Sequence, residues 1–445
     1  MADLLVRDAT ILTLGSQGTV EGSLYAVDGR IVEIGGRRRS ASTVVDARGR
    51  LVLPGFVQAH VHLCQTLFRG LADDLDVVDW LRMLVWPLEQ AHDEVSLRAS
   101  AALGIAELLL GGTTTALSME TTRHTDVTFD AALELGVRAI IGPALMDRWE
   151  PGTEMIGQST SEALSSVEEL VGRWHGAGDG RLGVALSPRG PRNATPELWR
   201  ACAAMAADHD LVLHTHVNEN AEQAARLERE LGGRDVYALE SYGALNRRLV
   251  MAHAVWLDDG ERDLVRRRGA HVCHCPSANL KLASGIAPIP EYLADGINVA
   301  LGADGAACNN NLSAFTEMRL AALIHKPRLG PKALPAADVL RLATMGGATA
   351  LGLQDEIGSL EAGKRADLVV LSRDGAHCRP LRGGSLASQV VYAHQAGDVT
   401  EVVVDGRLVV AEGQLLSGSL ERIVADAEEQ RAALLSRAAL KTVAG

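Results

Sequence analysis

The residues best suited to chemistry in this chain are histidines that recur in close pairs, together with an aspartate far from them in sequence. His60 and His62 stand two apart in QAHVHL, and His214 and His216 stand two apart in HTHVNE. His253 closes the run LVMAH, and Asp304 follows INVALGA. Neutral imidazoles and a carboxylate are suitable ligands for zinc, and also for iron or manganese. A single His-x-His says little, because either ring is as easily a satisfied core histidine. Recurrence of the same residue types at the ends of several apolar runs is a stronger signal. Glu219 follows His216 by three residues. If the chain turns there, its carboxylate can take a proton from a metal-ligated water and deliver it to a leaving group. The plainer alternative is a first-turn helix glutamate favoured by the helix dipole.

These side chains need elements that bring them together. Eight short apolar runs read as strands: FVQAHVHL, TTTALSM, VRAIIGPALM, RLGVALSP, LVLHTHVN, RLVMAHAVWL, AHVCHCP and INVALGAD. Helical stretches such as SLRASAALGIAELLLGG and TPELWRACAAMAADHD lie between them. Continuous rather than alternating apolar runs suit parallel strands buried on both faces. Eight of them with helical crossovers predict an α/β fold, a distorted (β/α)8 TIM barrel. In such a barrel the strand C-termini meet at one mouth, where active sites lie. His60 and His62 end the first run, His214 and His216 the fifth, His253 the sixth and Asp304 the eighth. Residues i and i+2 of a strand point the same way, so His60 and His62 can grip one ion together.

The two ends of the chain read differently. VRDATILTL, LYAVDGRIVEIG and TVVDARGRLVLPG, and later ADLVVLS and EVVVDGRLVVAEGQLL, are strand-like with Asp-Gly turns. They predict a small β-sandwich domain built from both ends, with the barrel inserted between. The expected boundaries are 1–54 and 358–417 for the β domain, 55–357 for the barrel, and 418–445 for an amphipathic C-terminal helix.

At 445 residues, with 47% hydrophobic residues, the chain is long enough for such a barrel and an accessory domain. A formal net charge of −13 argues against nucleic acid or anionic membrane as a main partner. Six cysteines in a chain this long do not make a disulfide scaffold. The first residues, MADLLVRDATILTL, lack the pattern of a signal peptide, and no run approaches a membrane span. The cytoplasm is the default compartment. HVCHCP invites a zinc reading, but strand alternation splits Cys273 and Cys275 from His274, so we read it as structural. Cys64 and Cys308 are not expected to be nucleophiles where a metal supplies one.

The segments PGFVQAHVHL, HTHVNE, AHAVWL, CPSANLKLASGIAP, GADGAACNNNLSAFTEMRLAALIHK and GSLEAGKRADLVVL together resemble the amidohydrolase superfamily, over nearly the whole chain. Within it they resemble the branch holding the adenosine-type deaminases, guanine deaminase and the s-triazine hydrolases. The resemblance implies a single divalent ion, zinc or else iron, held by His60, His62, His216 and Asp304. It implies Glu219 as proton shuttle, His253 beside the attacking hydroxide, and Asp304 as both ligand and proton acceptor. No lysine ends the strand before His216, which argues against a carbamylated-lysine two-metal centre. His214, on the same side of its strand as His216, is left with either a supporting or an alternate-ligand role. A homodimer or larger homo-oligomer is implied by the resemblance alone.

The same resemblance bears on substrate. Glu89 follows His62 at the spacing at which adenosylhomocysteine and methylthioadenosine deaminases carry a glutamate that binds ribose hydroxyls. A helix-surface glutamate is the alternative. Trp86 is a candidate apolar wall, and Arg148 a further candidate contact. The chain departs from those deaminases in SPRGPRN, where Arg189 stands in place of a base-contacting histidine, as in guanine-type deaminases. An arginine donates hydrogen bonds and cannot accept them. The expected activity is hydrolytic removal of an exocyclic amine, as ammonia, from a purine, an adenosine-type nucleoside or a related small N-heterocycle. An s-triazine or pterin hydrolase is the rival within the branch, with GADGAACNN favouring the nucleoside side. A non-catalytic assembly protein of the same fold is disfavoured because all four ligands are present.

Overall fold

The computed structural model describes residues 3–36, 40–71, 73–149, 154–381 and 383–439. Eight parallel strands close into a barrel: β6 (Phe56–His62), β7 (Thr113–Glu120), β8 (Arg138–Leu145), β9 (Leu182–Pro188), β10 (Val212–Val217), β11 (Leu249–His253), β12 (His271–His274) and β13 (Val299–Leu301). Each of the eight predicted runs contributes one strand. Side chains of β6 and β7 are buried along their whole length, as strands packed inside and out require.

Closure happens in two pieces. Leu301 of β13 pairs with Gln58, and a two-residue strand β14 (Asp304–Gly305) pairs further along with Val61 and His62. Gly302 stands at the break. A Cβ there would lie 2.5 Å from the His60 carbonyl oxygen and 2.8 Å from Cys273 Sγ, so only glycine lets the chain pass so close to β6. The break delivers Asp304 directly opposite the His60–His62 end of the first strand.

Strands from both chain ends form one continuous, mostly antiparallel sheet. β1 (Asp3–Leu12), β2 (Thr19–Val27), β3 (Arg30–Gly36), β4 (Thr43–Asp46) and β5 (Leu51–Pro54) come from the start, and β15 (Leu368–Leu371), β16 (Val399–Val404), β17 (Arg407–Ala411) and β18 (Gln414–Leu415) from the far end. The two sets join where β5 pairs antiparallel with β15. Only Gly55 separates β5 from the barrel strand β6, which ties the sheet to the barrel. Arg138 of β8 strengthens the joint by pairing with the buried Asp367 at 2.8 Å.

The C-terminal helix Leu420–Arg437 buries Ala427 and Leu434, and its Arg437 Nε donates to the Ala91 carbonyl at 2.8 Å. Residues 440–445, expected to belong to this terminal segment, lie outside the described residues. No helix among the described residues is long and apolar enough to cross a membrane.

Candidate active site

The barrel mouth holds a cleft, open to solvent, whose lining includes His62, His216, Glu219, His253 and Asp304. These residues come from four different strand ends, so the geometry follows from the barrel rather than from any local motif. Register places His216 beside Ala252 and Val217 beside His253 on the neighbouring strand. Asn218, His253 and Asp304 all take positive φ, between 44° and 70°. For non-glycine residues such conformations cost about 1–3 kcal/mol each, and they cluster where a chain must aim side chains for function.

The hydrogen bonds fix the tautomers of the histidines. His62 Nδ1 lies 2.8 Å from the Met119 carbonyl and His216 Nδ1 lies 2.7 Å from the Arg189 carbonyl. A carbonyl only accepts, so both Nδ1 atoms carry the proton and both Nε2 atoms carry a lone pair. Those two Nε2 atoms face each other 3.2 Å apart. Burial pushes both rings down, His62 to about 4 and His216 well below its ordinary range, and repulsion from the neighbouring rings adds to this. A second proton is therefore not the remedy for two opposed lone pairs.

His60 is buried, and its Nε2 has no properly directed hydrogen-bond partner, although Asp304 Oδ1 lies 3.2 Å away. The same carboxylate oxygen is 3.4 Å from His62 Nε2. Burial opposes ionisation of Asp304, but the surrounding imidazoles outweigh it and hold the carboxyl well below the usual range. Facing lone pairs, an ionised carboxylate and an unpartnered buried nitrogen converge on one point. A divalent cation fits this donor set, and a proton network does not.

Each residue has a support. His60 Nδ1 meets His214 Nε2 at 2.7 Å, so His214 sits behind His60 and does not line the cleft. His253 Nδ1 donates to Asn279 Oδ1 at 2.8 Å, leaving Nε2 aimed between Glu219 Oε2 and Asp304 Oδ2, 3.8 Å from each. Glu219 precedes the helix that starts at Ala221, so it is not a first-turn glutamate. It faces the cleft, and Ser284 Oγ donates to its Oε1 at 3.2 Å. Burial raises the Glu219 carboxyl above its ordinary value, the Asp304 charge adds to this, and His253 opposes it. Asn279 and Ser284 were not singled out in the sequence; both lie in the CPSANLKLASG segment, where only its position after a strand end offered a clue.

The substrate candidates separate. Trp86 and Arg189 line the cleft together with Trp80, Val77 and Gln65, whereas Arg148 does not. Glu89 is not a helix-surface residue: it is buried, and its carboxylate is taken up by Arg189 and Gln65. Cys273, Cys275 and His274 are buried and, among the described residues, form no metal-binding group.

A (β/α)8 barrel whose mouth brings together histidines and an aspartate close enough to share one metal ion defines a metal-dependent hydrolase scaffold. Residues 51–409 match the amidohydrolase family, and the chain belongs to it. It is 39% identical over 415 residues to a 5'-deoxyadenosine deaminase of Methanothermobacter thermautotrophicus, covering 93% of this chain and 94% of that one. It is 38% identical to a 5-methylthioadenosine/S-adenosylhomocysteine deaminase of Syntrophobacter fumaroxidans, covering 95% and 96%. Among solved structures it superposes with a TM-score of 0.91 on an adenosine deaminase from Xanthomonas campestris with bound zinc, at 32% identity over 98% of this chain and 99% of that one.

Proposed function

We propose that this protein is a zinc-dependent hydrolase that removes the exocyclic amine of an adenosine-type nucleoside as ammonia. The observation that carries the reading is the pair of unprotonated nitrogens, His62 Nε2 and His216 Nε2, facing each other at 3.2 Å above Asp304. Four residues, His60, His62, His216 and Asp304, are assigned to hold the ion. When bound, a divalent cation at such a site lowers the pKa of a ligated water toward ~7 and so supplies a nucleophile at neutral pH.

The remaining steps belong to the protein's own groups. Glu219, with its raised proton affinity, takes a proton from water at its free Oε2 and returns it to the substrate. A ring nitrogen beside the amine receives that proton, which makes the amine-bearing carbon electrophilic. His253, held by Asn279, presents Nε2 to the oxygen that adds to this carbon. Asp304 Oδ2 takes the second proton of the water and passes it to the amine, the C–N bond breaks as the C=O bond forms, and the amine leaves as ammonia. Trp80, Trp86 and Val77 supply an apolar wall for a planar ring. Arg189, anchored by Glu89, supplies donors for a substrate oxygen or ring nitrogen.

The test is ammonia release by the zinc-loaded protein from 5'-deoxyadenosine, methylthioadenosine, adenosylhomocysteine and adenosine, against guanine, a pterin and an aminotriazine. At least one adenosine-type nucleoside should exceed the other heterocycles by ~100-fold or more in kcat/KM. Ammonia from the triazine or guanine but from no adenosine derivative would overturn the substrate class.

A further inference from the structure

We propose that His377, Cys378, His394 and Asp398 form a second metal site, a structural zinc centre that pins the connection between β15 and β16. These two strands are antiparallel neighbours, yet the chain between them runs from residue 372 to 398. Neighbouring antiparallel strands are usually joined by a few residues. Here the connection leaves through a 3-10 turn (Ala376–Cys378), forms a helix (Leu386–Tyr392) and returns through another 3-10 turn (Ala396–Asp398). His377 and Cys378 stand at its beginning and His394 and Asp398 at its end.

The side chains of these four residues meet. Asp398 Oδ2 is 2.9 Å from His377 Nε2, 3.2 Å from His394 Nδ1 and 4.0 Å from Cys378 Sγ. Cys378 Sγ is 3.5 Å from His394 Nδ1. A tetrahedral zinc with Zn–N near 2.0–2.1 Å and Zn–S near 2.3 Å has ligand-to-ligand edges of roughly 3.3–3.6 Å, and these four separations bracket that range. Ligand atoms of His377, Cys378 and Asp398 also form one of the few groups, among the described residues, close enough together to share an ion. Cys378, His394 and Asp398 are buried, while His377 is partly open to solvent and gives an ion access.

A purely hydrogen-bonded cluster accounts for the arrangement less well. The Gln395 amide also points at Asp398 Oδ2, at 3.0 Å. His377 Nε2 also reaches Asp398 Oδ1 at 3.0 Å, so His394 and Gln395 take up the two lone pairs of Oδ2, and the Cys378 thiol is left with only a 4.0 Å contact to that oxygen. If the two imidazoles and the sulfur instead turn lone pairs inward, only Gln395 donates to it and the rest share a cation. Thiolate and imidazole with one carboxylate select zinc or a similar transition metal over magnesium or calcium. Binding releases the Cys378 proton to solvent. None of the four residues lines the barrel cleft, so the site is independent of the proposed reaction. Its role is to hold the start and end of a long connection together.

The test uses the full-length protein, purified with zinc and then with cobalt. Metal analysis of the wild type should give about two ions per chain, and Cys378→Ser and His394→Ala about one, with ammonia release retained. The cobalt form of the wild type should show a thiolate-to-cobalt charge-transfer band that Cys378→Ser lacks. The barrel donors include no thiol, so this band reports the second site alone, and it can be read in the wild type even if a variant fails to fold. One ion per chain in zinc-saturated wild type, or no charge-transfer band in its cobalt form, would overturn the proposal.

Discussion

Arg189 closes on Glu89 through two hydrogen bonds, Nη1 to Oε2 at 2.6 Å and Nη2 to Oε1 at 3.2 Å, with both side chains buried beside the cleft. The guanidinium outweighs the effect of burial and holds the Glu89 carboxyl below its ordinary value. Removing one partner leaves a buried charge alone, so Arg189→Met should destabilise the protein by about 3–5 kcal/mol. Replacing both with apolar residues removes the stranded charge as well. Arg189→Met with Glu89→Leu should therefore be more stable than Arg189→Met alone while losing substrate affinity. Thermal unfolding of the two single variants and the double variant measures the coupling, and strictly additive losses would show that the two residues do not act as a pair.

Glu219 is assigned to move protons and not to hold the ion. Glu219→Gln keeps the shape and the Ser284 contact but cannot take a proton. It should lower kcat by at least ~100-fold with metal content unchanged. Because burial raises the Glu219 carboxyl, the acid limb of kcat/KM in the wild type should lie above the pH an ordinary glutamate would set. Steady-state kinetics and metal analysis on the same preparation check both points; near-normal turnover of the loaded variant would remove Glu219 from the reaction.

What was legible in the sequence follows from what periodicity can carry. Each barrel strand is a local apolar run, and His60, His216, His253 and Asp304 mark strand ends by position alone, so their convergence could be read once the barrel was recognised. The Glu89–Arg189 pair could not. Its members lie a hundred positions apart, and each alone looked like a substrate contact. Closure of the barrel by a separate β14, dependent on a side-chain-free Gly302, was equally hidden, because the strand signal runs without a break through INVALGAD. His377, Cys378, His394 and Asp398 gave no signal either, since neither short spacing is a familiar ligand pattern and their meeting depends on how a long connection folds back.

His253 owes its orientation to Asn279, buried in the short helix Pro276–Lys281 that follows β12. The Nδ1–H to Oδ1 bond keeps Nε2 free to face the reacting oxygen. Asn279→Ala should lower kcat by about 10–100-fold, by the scale seen when supports of site histidines are removed. Substrate binding and metal content should change little. Asn279→Asp keeps an acceptor in the same place and should recover part of the loss. A general fall in stability without this recovery would mark Asn279 as merely structural.

Glu120, at the end of β7, supplies a pH dependence of stability separate from catalysis. Burial pushes its carboxyl up to about 7, against the opposing hydrogen bonds from Ser118 and Thr128. The folded state thus holds this proton more tightly than the unfolded chain does. The contribution is fully present below the unfolded value near 4.5 and is lost as pH rises through about 7. The wild type should therefore lose stability across that window, by no more than ~3 kcal/mol from this group. Glu120→Gln stays neutral throughout, and the two hydroxyls can turn to suit an amide. Its thermal midpoint should fall less than that of the wild type between about pH 5.5 and about pH 8. Asp235 and Glu317 are also pushed up to about 7 by burial, so the variant should flatten the profile without abolishing its slope. Parallel profiles for variant and wild type would show that Glu120 is already ionised, or already neutral, across the whole range.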